Sequence, residues 1–366
     1  MATPVDGVDV DLPAPVSLVN MVQGRKVLVS GSSTSLSGRP AVHLEPVDSG
    51  PQHPGPRENP MGKQVIVGAG QVGRHLAELL PTQGHEVTVV TRSGVGPENV
   101  AKIAADATDR KRLIEITRGA DALYNVAAPP YTRWPQDWPP LAAALLATAE
   151  ATGAVLVTSS NLYLYGRVEG PMTEDLPVAP VGHKGRVRAK MWSDALAAHE
   201  AGRARVTEVR SADYFGPGAG DQTPVGTRFV PPLLAGKRVM FLGDPAVPHS
   251  WTYLPDVARA LAVAGTDVRA WGRAWNVPTN PPLSAQALAE RLSALTGAPA
   301  PRIARMPRWV MNAIGVVSPL VRELRETRYQ FDRPFVVDSS AFESTFGIAP
   351  TPMGEALEAT VEFYRP

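Results

Sequence analysis

Gly68-Ala69-Gly70-Gln71-Val72-Gly73 stands directly after an apolar run, 64–68, and directly before a helical stripe of Val72, Leu76, Leu79 and Leu80. Three glycines at this spacing, between a strand and a helix, allow one local geometry. Gly68 permits a tight turn, Gly70 lets bare backbone approach a ligand, and Gly73 lets the helix lie close on the strand. The amides of Gln71, Val72 and Gly73 open the helix at its partly positive end, so the ligand suited to them is an anion. In this context the pattern points to the diphosphate of a dinucleotide.

The rest of the chain repeats the alternation. Short apolar runs at 64–68, 86–91, 122–126, 154–159, 205–210 and 274–277 are separated by helical patterns, one stopping at Gly84 and another running between Ser284 and Gly297. That alternation predicts an α/β fold with a doubly wound parallel sheet, covered by helices on both faces, and a smaller C-terminal substrate lobe. The expected division is a dinucleotide-binding domain over 61–215 and a lobe over 216–366, with the strand near 274–277 returning to the sheet. The Pro-dense stretches 129–140 and 171–180 read as surface loops.

Residues 1–60 contain nine Pro, six Gly and no Phe, Tyr or Trp. They lack the large apolar groups that offset the entropy of ordering, and are expected to be a disordered extension ahead of Met61, with at most a short strand at 26–30. A regulatory tail is the alternative.

Composition narrows the partners. Lys and Arg number 36 against 35 for Asp and Glu, a net charge of +1, so nothing favours nucleic acid or a membrane, and a small molecule is the expected target. Cys is absent, which removes disulfides and thiolate chemistry, and the acidic start carries no secretory signal, so a cytoplasmic location is expected. The apolar run 309–321 holds Asn312 and Pro319, is shorter than the ~20 residues of a membrane span, and reads as a buried helix.

At the end of the second strand, where a carboxylate would hold a ribose 2′-hydroxyl, the chain has Thr91-Arg92-Ser93. Arg92 can hold a 2′-phosphate, so NADP(H) is preferred, with NAD(H) as the alternative.

From 61 to 364 the sequence resembles the extended, here atypical, short-chain dehydrogenase/reductase superfamily, in its NAD-dependent epimerase/dehydratase group, which has the Rossmann fold. Beyond the glycine loop, Asp106-Ala107-Thr108-Asp109 resembles the turn whose first Asp contacts adenine, and Asn125-Val126-Ala127-Ala128 the segment lying along the cofactor. Ser159-Ser160-Asn161, Tyr165-Gly166, Thr173-Glu174-Asp175, Phe215-Gly216-Pro217, Tyr253-Leu254-Pro255-Asp256-Val257 and Trp275-Asn276-Val277 follow in the family's order. The resemblance also implies a possible homodimer.

One motif departs. Where the family carries Tyr-x-x-x-Lys, this chain has His183-Lys184-Gly185-Arg186-Val187-Arg188, so Lys184 replaces the proton-transferring Tyr and Arg188 the Lys that holds the nicotinamide ribose. The hydroxylic partner is Ser160 or Asn161, because the spacing to Tyr163 and Tyr165 is one residue long. Lys184 and Arg188 share a helix face and raise each other's energy, so Lys184, with a lowered pKa, is a candidate general acid. Tyr163 and Tyr165 are the other proton donors, and two cations pairing with acids or cofactor is the plainer role.

Lesser candidates complete the reading. His249 stands where nucleotide-sugar enzymes of this group place an Arg on the sugar-nucleotide phosphate, which counts against such a substrate; an ordinary surface His is the alternative. Trp134 and Trp138 can wall a pocket or pack a loop, Asp256 reads as a helix cap, and no cluster has metal-ligand spacing. The expectation is an NADP(H)-dependent oxidoreductase or epimerase-like enzyme on a small carbonyl or hydroxyl compound, and the alternative a non-catalytic redox sensor.

Overall fold

The computed structural model describes residues 62–365, with the backbone of a short antiparallel pair, Met21–Val22 and Arg25–Lys26. The disorder expected of 1–60, and most of the strand expected at 26–30, lie outside the described residues. In chain order the first elements are β1 (Lys63–Val67), α1 (Gln71–Thr82), β2 (Glu86–Thr91), β3 (Ala101–Ala104), α2 (Arg110–Thr117), β4 (Ala122–Asn125), α3 (Trp134–Thr152), β5 (Val155–Asn161), α4 (His183–Glu200) and β6 (Val206–Ser211).

There follow β7 (Asp213–Phe215), α5 (Val230–Leu234), β8 (Arg238–Phe241), β9 (Pro248–His249), β10 (Trp251–Tyr253), α6 (Leu254–Thr266), β11 (Ala274–Asn276), β12 (Leu283–Ser284) and α7 (Ala285–Thr296). The chain ends with β13 (Arg302–Arg305), α8 (Arg308–Val317), α9 (Pro319–Thr327), α10 (Tyr329–Asp332), α11 (Ser340–Phe346) and α12 (Met353–Tyr364).

Seven strands form one parallel sheet in the order β11-β6-β5-β4-β1-β2-β3. Alternate side chains of β1 serve opposite cores. Ile66 packs with Leu76 and Leu80 of α1 and Leu261 of α6, whereas Val65 and Val67 pack with Leu113 of α2 and Leu145 of α3. Each such fully buried side chain contributes roughly 1.5–3 kcal/mol, so the apolar runs can only sit between two helical layers. A further core, including Phe215, Phe241, Trp251, Leu288, Phe331 and Leu357, fills the C-terminal part.

Most boundaries follow the sequence pattern. Ser284 caps α7 by accepting from the Ala287 amide at 3.1 Å, and Gly297 ends it with φ +66°. Strand β11 rejoins the sheet beside β6, where 274–277 is expected.

Three expectations are corrected. The stretch 129–140 is not a loop throughout, because α3 starts at Trp134; Pro135 lies in the first turn, where a missing N–H costs nothing, although Pro139 and Pro140 are further in. Asp256 is not the cap of α6. Tyr253 holds that position, and the buried Asp256 carboxylate instead accepts from Thr351 N at 2.8 Å and Oγ1 at 2.6 Å and pairs with Arg259, tying α6 to the C-terminal segment. The run 309–321 is not one buried helix: Ser318 and Pro319 break it into α8 and α9, and the outer face of α8 is exposed. Among the described residues no helix is long and apolar enough to cross a membrane.

Candidate cofactor and substrate site

The three glycines after β1 divide their work. At Gly68, φ is +110° and a Cβ would lie 2.9 Å from the Ala127 backbone; at Gly73 it would lie 2.3 Å from the Gly68 carbonyl oxygen. Both are packing positions. A Cβ at Gly70 would meet nothing within 4 Å, so that backbone faces open space at the start of α1. Gln71 Oε1 accepts from the Gly220 amide at 3.0 Å, fastening the loop after β7 beside this turn, while Val72 is buried in the core.

Arg92 and Ser93 are exposed just past β2. Asp106, after β3, accepts from Thr108 N at 2.9 Å and Oγ1 at 2.8 Å; those bonds, with the Arg92 charge, hold its carboxyl below the usual range. Ala107 is half-buried beside it, and Ala127 and Ala128 continue from β4. At the carboxyl ends of β4 and β5 and on α4, three buried polar atoms have no partner among the described residues: Asn125 Oδ1, Ser160 Oγ and Arg188 Nε. Burying such atoms without partners is costly, so each is a candidate for a ligand contact. These residues fit a dinucleotide, with a bare turn for its diphosphate and orphaned polar groups further along the sheet edge.

Of the two hydroxylic candidates, Asn161 accepts from the Tyr163 amide at 3.2 Å and is used by the turn. Tyr163 OH lies 3.1 Å from Tyr131 OH, a residue missed in the sequence, which is itself 3.3 Å from Thr327 Oγ1. Burial pushes Tyr131 up to about 12 and Tyr163 well above the usual phenol value, so both are neutral near pH 7. Tyr165 sits apart, in a cluster with Leu164, Met172 and Phe335, its hydroxyl bonded to Arg210. Arg210 pairs with Glu208 at 2.7 Å.

Lys184 is fully buried, and α9 accounts for it. Its Nζ donates to Glu323 and, at 3.3 Å, to Glu326, lies 3.2 Å from His183 Nε2, and stands 4.6 Å over the Tyr131 ring. The Lys184 amide donates to Glu326 Oε1 at 2.8 Å, and Gly182 leaves room for that carboxylate at the start of α4. Arg188 solves its own burial differently. Its guanidinium lies 4.8 Å from Trp134 and 4.2 Å from Trp138 and donates to the Ser159 carbonyl at 3.4 Å, although burial lowers its pKa. The expected repulsion between the two cations is thus relieved by separate partners.

Burial alone would raise the Glu323 carboxyl, but Lys184 and His183 outweigh it and hold it below its ordinary 4.5. The resulting stabilisation is complete above that value and lost as pH falls through the depressed one. Amides of 319–327 are therefore expected to exchange faster at about pH 3.5 than at pH 6, after correction for intrinsic rates. Equal protection at both would remove this ion pair as the fastening of α9.

His249 is buried, not a surface residue. Its ring stacks on Phe331 and Phe335, with Nε2 2.9 Å from Asp213 Oδ2 and Nδ1 3.3 Å from the Gln330 carbonyl. The fold also gathers His183, Glu323 and Glu326, whose donor atoms lie within 4.8 Å of one another, which no local spacing reveals. The Lys184 ammonium already stands among them as the cation.

Residues 65–277 match the model of the NAD dependent epimerase/dehydratase family. Over 213 residues the chain is 30% identical to a dTDP-glucose 4,6-dehydratase of Streptomyces griseus, covering 58% of this chain and 58% of that protein. Over 265 residues it is 25% identical to a UDP-N-acetyl-alpha-D-glucosaminuronate decarboxylase of Bacillus cytotoxicus, covering 64% of this chain and 81% of that one. In fold it is similar to a dTDP-glucose 4,6-dehydratase of Bacillus anthracis solved in complex with NAD, with TM-score 0.67, 17% identity, and coverage of 83% of this chain and 96% of that one. The chain thus spans a little over half the length of the first of these relatives. Since the family model matches more than half of its 366 residues, the chain belongs to the NAD dependent epimerase/dehydratase family.

Proposed function

We propose that the protein is a dinucleotide-dependent enzyme of the epimerase/dehydratase type whose substrate is a sugar carried on a nucleotide. The observation that carries the cofactor is the turn at Gly70, open on the ligand side and tightly packed at Gly68 and Gly73. The sequence alone points to a small carbonyl or hydroxyl compound; the named relatives, which are nucleotide-sugar enzymes, move that reading to a linked sugar. His249 offers no guanidinium to a phosphate, being committed to Asp213. Arg328, whose buried Nη2 has no partner among the described residues, is the cation suited to that task.

A bound dinucleotide would supply hydride-transfer chemistry. The amides after Gly70 would hold its diphosphate, Asp106 and Ala107 its adenosine, and Ala127, Ala128, Ser160 and Arg188 its nicotinamide half. Tyr163, neutral and accepting from Tyr131, would donate its proton to the oxygen of a carbonyl as hydride reaches the carbon. Lys184 Nζ is engaged by Glu323, Glu326 and His183, so it takes the proton role only if α9 withdraws.

Arg92 favours NADP(H). Arg92→Ala is expected to weaken NADPH binding about tenfold, as for the loss of a charge-assisted contact, and to leave NADH binding unchanged. Equal loss for both would remove the 2′-phosphate from the account.

The occupied Lys184 favours a second reading, a dinucleotide-binding sensor without turnover. Calorimetry with NADH and NADPH, then with UDP added to the loaded protein, tests the first reading. Heat with a dinucleotide but none with UDP, and no turnover of UDP-glucose or dTDP-glucose, would favour the sensor; no heat with any dinucleotide would defeat both.

A further inference from the structure

The apolar run 309–321 ends as a helical hairpin with its inner side fully engaged. Met311 is buried, its sulfur 3.4 Å from Arg328 Nη1, while the exposed Arg325 ties the two helices together by donating to the Asn312 carbonyl at 2.8 Å. Glu323 and Glu326 of α9 turn inward to Lys184 and His183. What remains outside is apolar. Trp309 is 74% exposed, Val316 78%, Val317 82% and Leu320 46%. Residues 309, 313, 316 and 317 share one side of α8, and Ala313 between them is also exposed. Single exposed apolar residues are ordinary; a contiguous set rimmed by charge marks an interaction surface.

The charge decides between occupants. From 308 to 328 the sequence has Arg308, Arg322, Arg325 and Arg328 against Glu323 and Glu326. With both glutamates turned inward and Arg322 and Arg325 exposed, the outward side of the hairpin is apolar and basic. A second copy seated here about a two-fold axis would bring arginine against arginine. A surface that is negative over a broad area and admits side chains to shallow depth, without a shaped pocket, complements it. A tryptophan with aliphatic neighbours and flanking arginines suits the head-group boundary of a membrane.

We propose that the α8–α9 hairpin docks the protein on an anionic lipid bilayer, inserting Trp309, Val316, Val317 and Leu320 and setting Arg322 and Arg325 among the head groups. The helix lies on the surface and does not span it. Because the opposite side of α9 grips Lys184, the docked hairpin is continuous with the candidate site.

The full chain is tested by sedimentation with vesicles of phosphatidylcholine containing about one-third phosphatidylglycerol, and with phosphatidylcholine alone. The wild-type protein is expected to bind the anionic vesicles at least about tenfold more tightly, and increasingly weakly as salt rises. Val316→Ser/Val317→Ser and Arg322→Glu should each lower that affinity about tenfold with an unchanged melting temperature, since all three positions are exposed. Brominated acyl chains should quench the wild-type fluorescence more than that of Trp309→Phe. Wild-type protein left in the supernatant, or variants that pellet as well as it does, would overturn the proposal. So would a dimer seen by light scattering that Val316→Ser/Val317→Ser dissolves, or binding to polyglutamate without binding to vesicles.

Discussion

Gly73→Ala is expected to abolish measurable dinucleotide binding and to cost the fold about 3 kcal/mol, the upper end for overpacking a tight contact. The added methyl would stand 2.3 Å from the Gly68 carbonyl oxygen and 3.1 Å from Val126 Cγ2. Backbone is the obstacle, so no side-chain rotation relieves it, and α1 must tilt away from β1. Gly70→Ala separates the two effects. Its methyl meets nothing within 4 Å and its φ of −74° suits any residue, so the melting temperature should not move. The same methyl projects into the space assigned to the diphosphate, and affinity should fall about a hundredfold, roughly 2.8 kcal/mol. Calorimetry and thermal melts on both variants check this; Gly70→Ala binding as tightly as wild type would place the diphosphate elsewhere.

Lys184→Met should destabilise the protein by about 3 kcal/mol, as expected when one partner of a buried ion pair is removed. Glu323→Gln/Glu326→Gln should cost at least as much, because it leaves a fully buried ammonium without an ionised acceptor. All three changes together should cost less than the sum, since the charges vanish as a set. Denaturant unfolding gives the cycle directly. Additive losses would mean that Lys184 and α9 act independently, and an unshifted Lys184→Met midpoint would mean the ion pair contributes nothing.

The sheet and the glycine turn could be read from the sequence because their determinants are local. A run of buried β residues, a glycine triplet and a capping Ser284 each act within a few positions. Strand β3 escaped notice because Ala101-Lys102-Ile103-Ala104 lies at the sheet edge, mostly exposed, and lacks the apolar run of its neighbours. The environment of Lys184 was illegible for another reason. Its carboxylates come from 139 and 142 positions away and reach it only through the docking of α9. The like-charge pattern Lys184/Arg188 and its pairing with acids were legible, but not which acids hold Lys184, nor that indole faces hold Arg188. For 309–321, apolar content points to burial, whereas a helix buries one side only and Ser318-Pro319 divides the run into two helices.

The edge strand β11 has a consequence for synthesis. Its partner β6 ends at Ser211, and the intervening chain, 212–273, builds much of the C-terminal core before Ala274–Asn276 can be laid alongside. A nascent polypeptide emerging from the ribosome therefore holds one flank of β6 unpaired for the time needed to translate that stretch, a few seconds or more at typical elongation rates of about 5–20 residues per second. Truncations ending before 274 should accordingly aggregate even though every glycine-turn residue is present, which makes the nucleotide half dependent on its own downstream sequence for solubility.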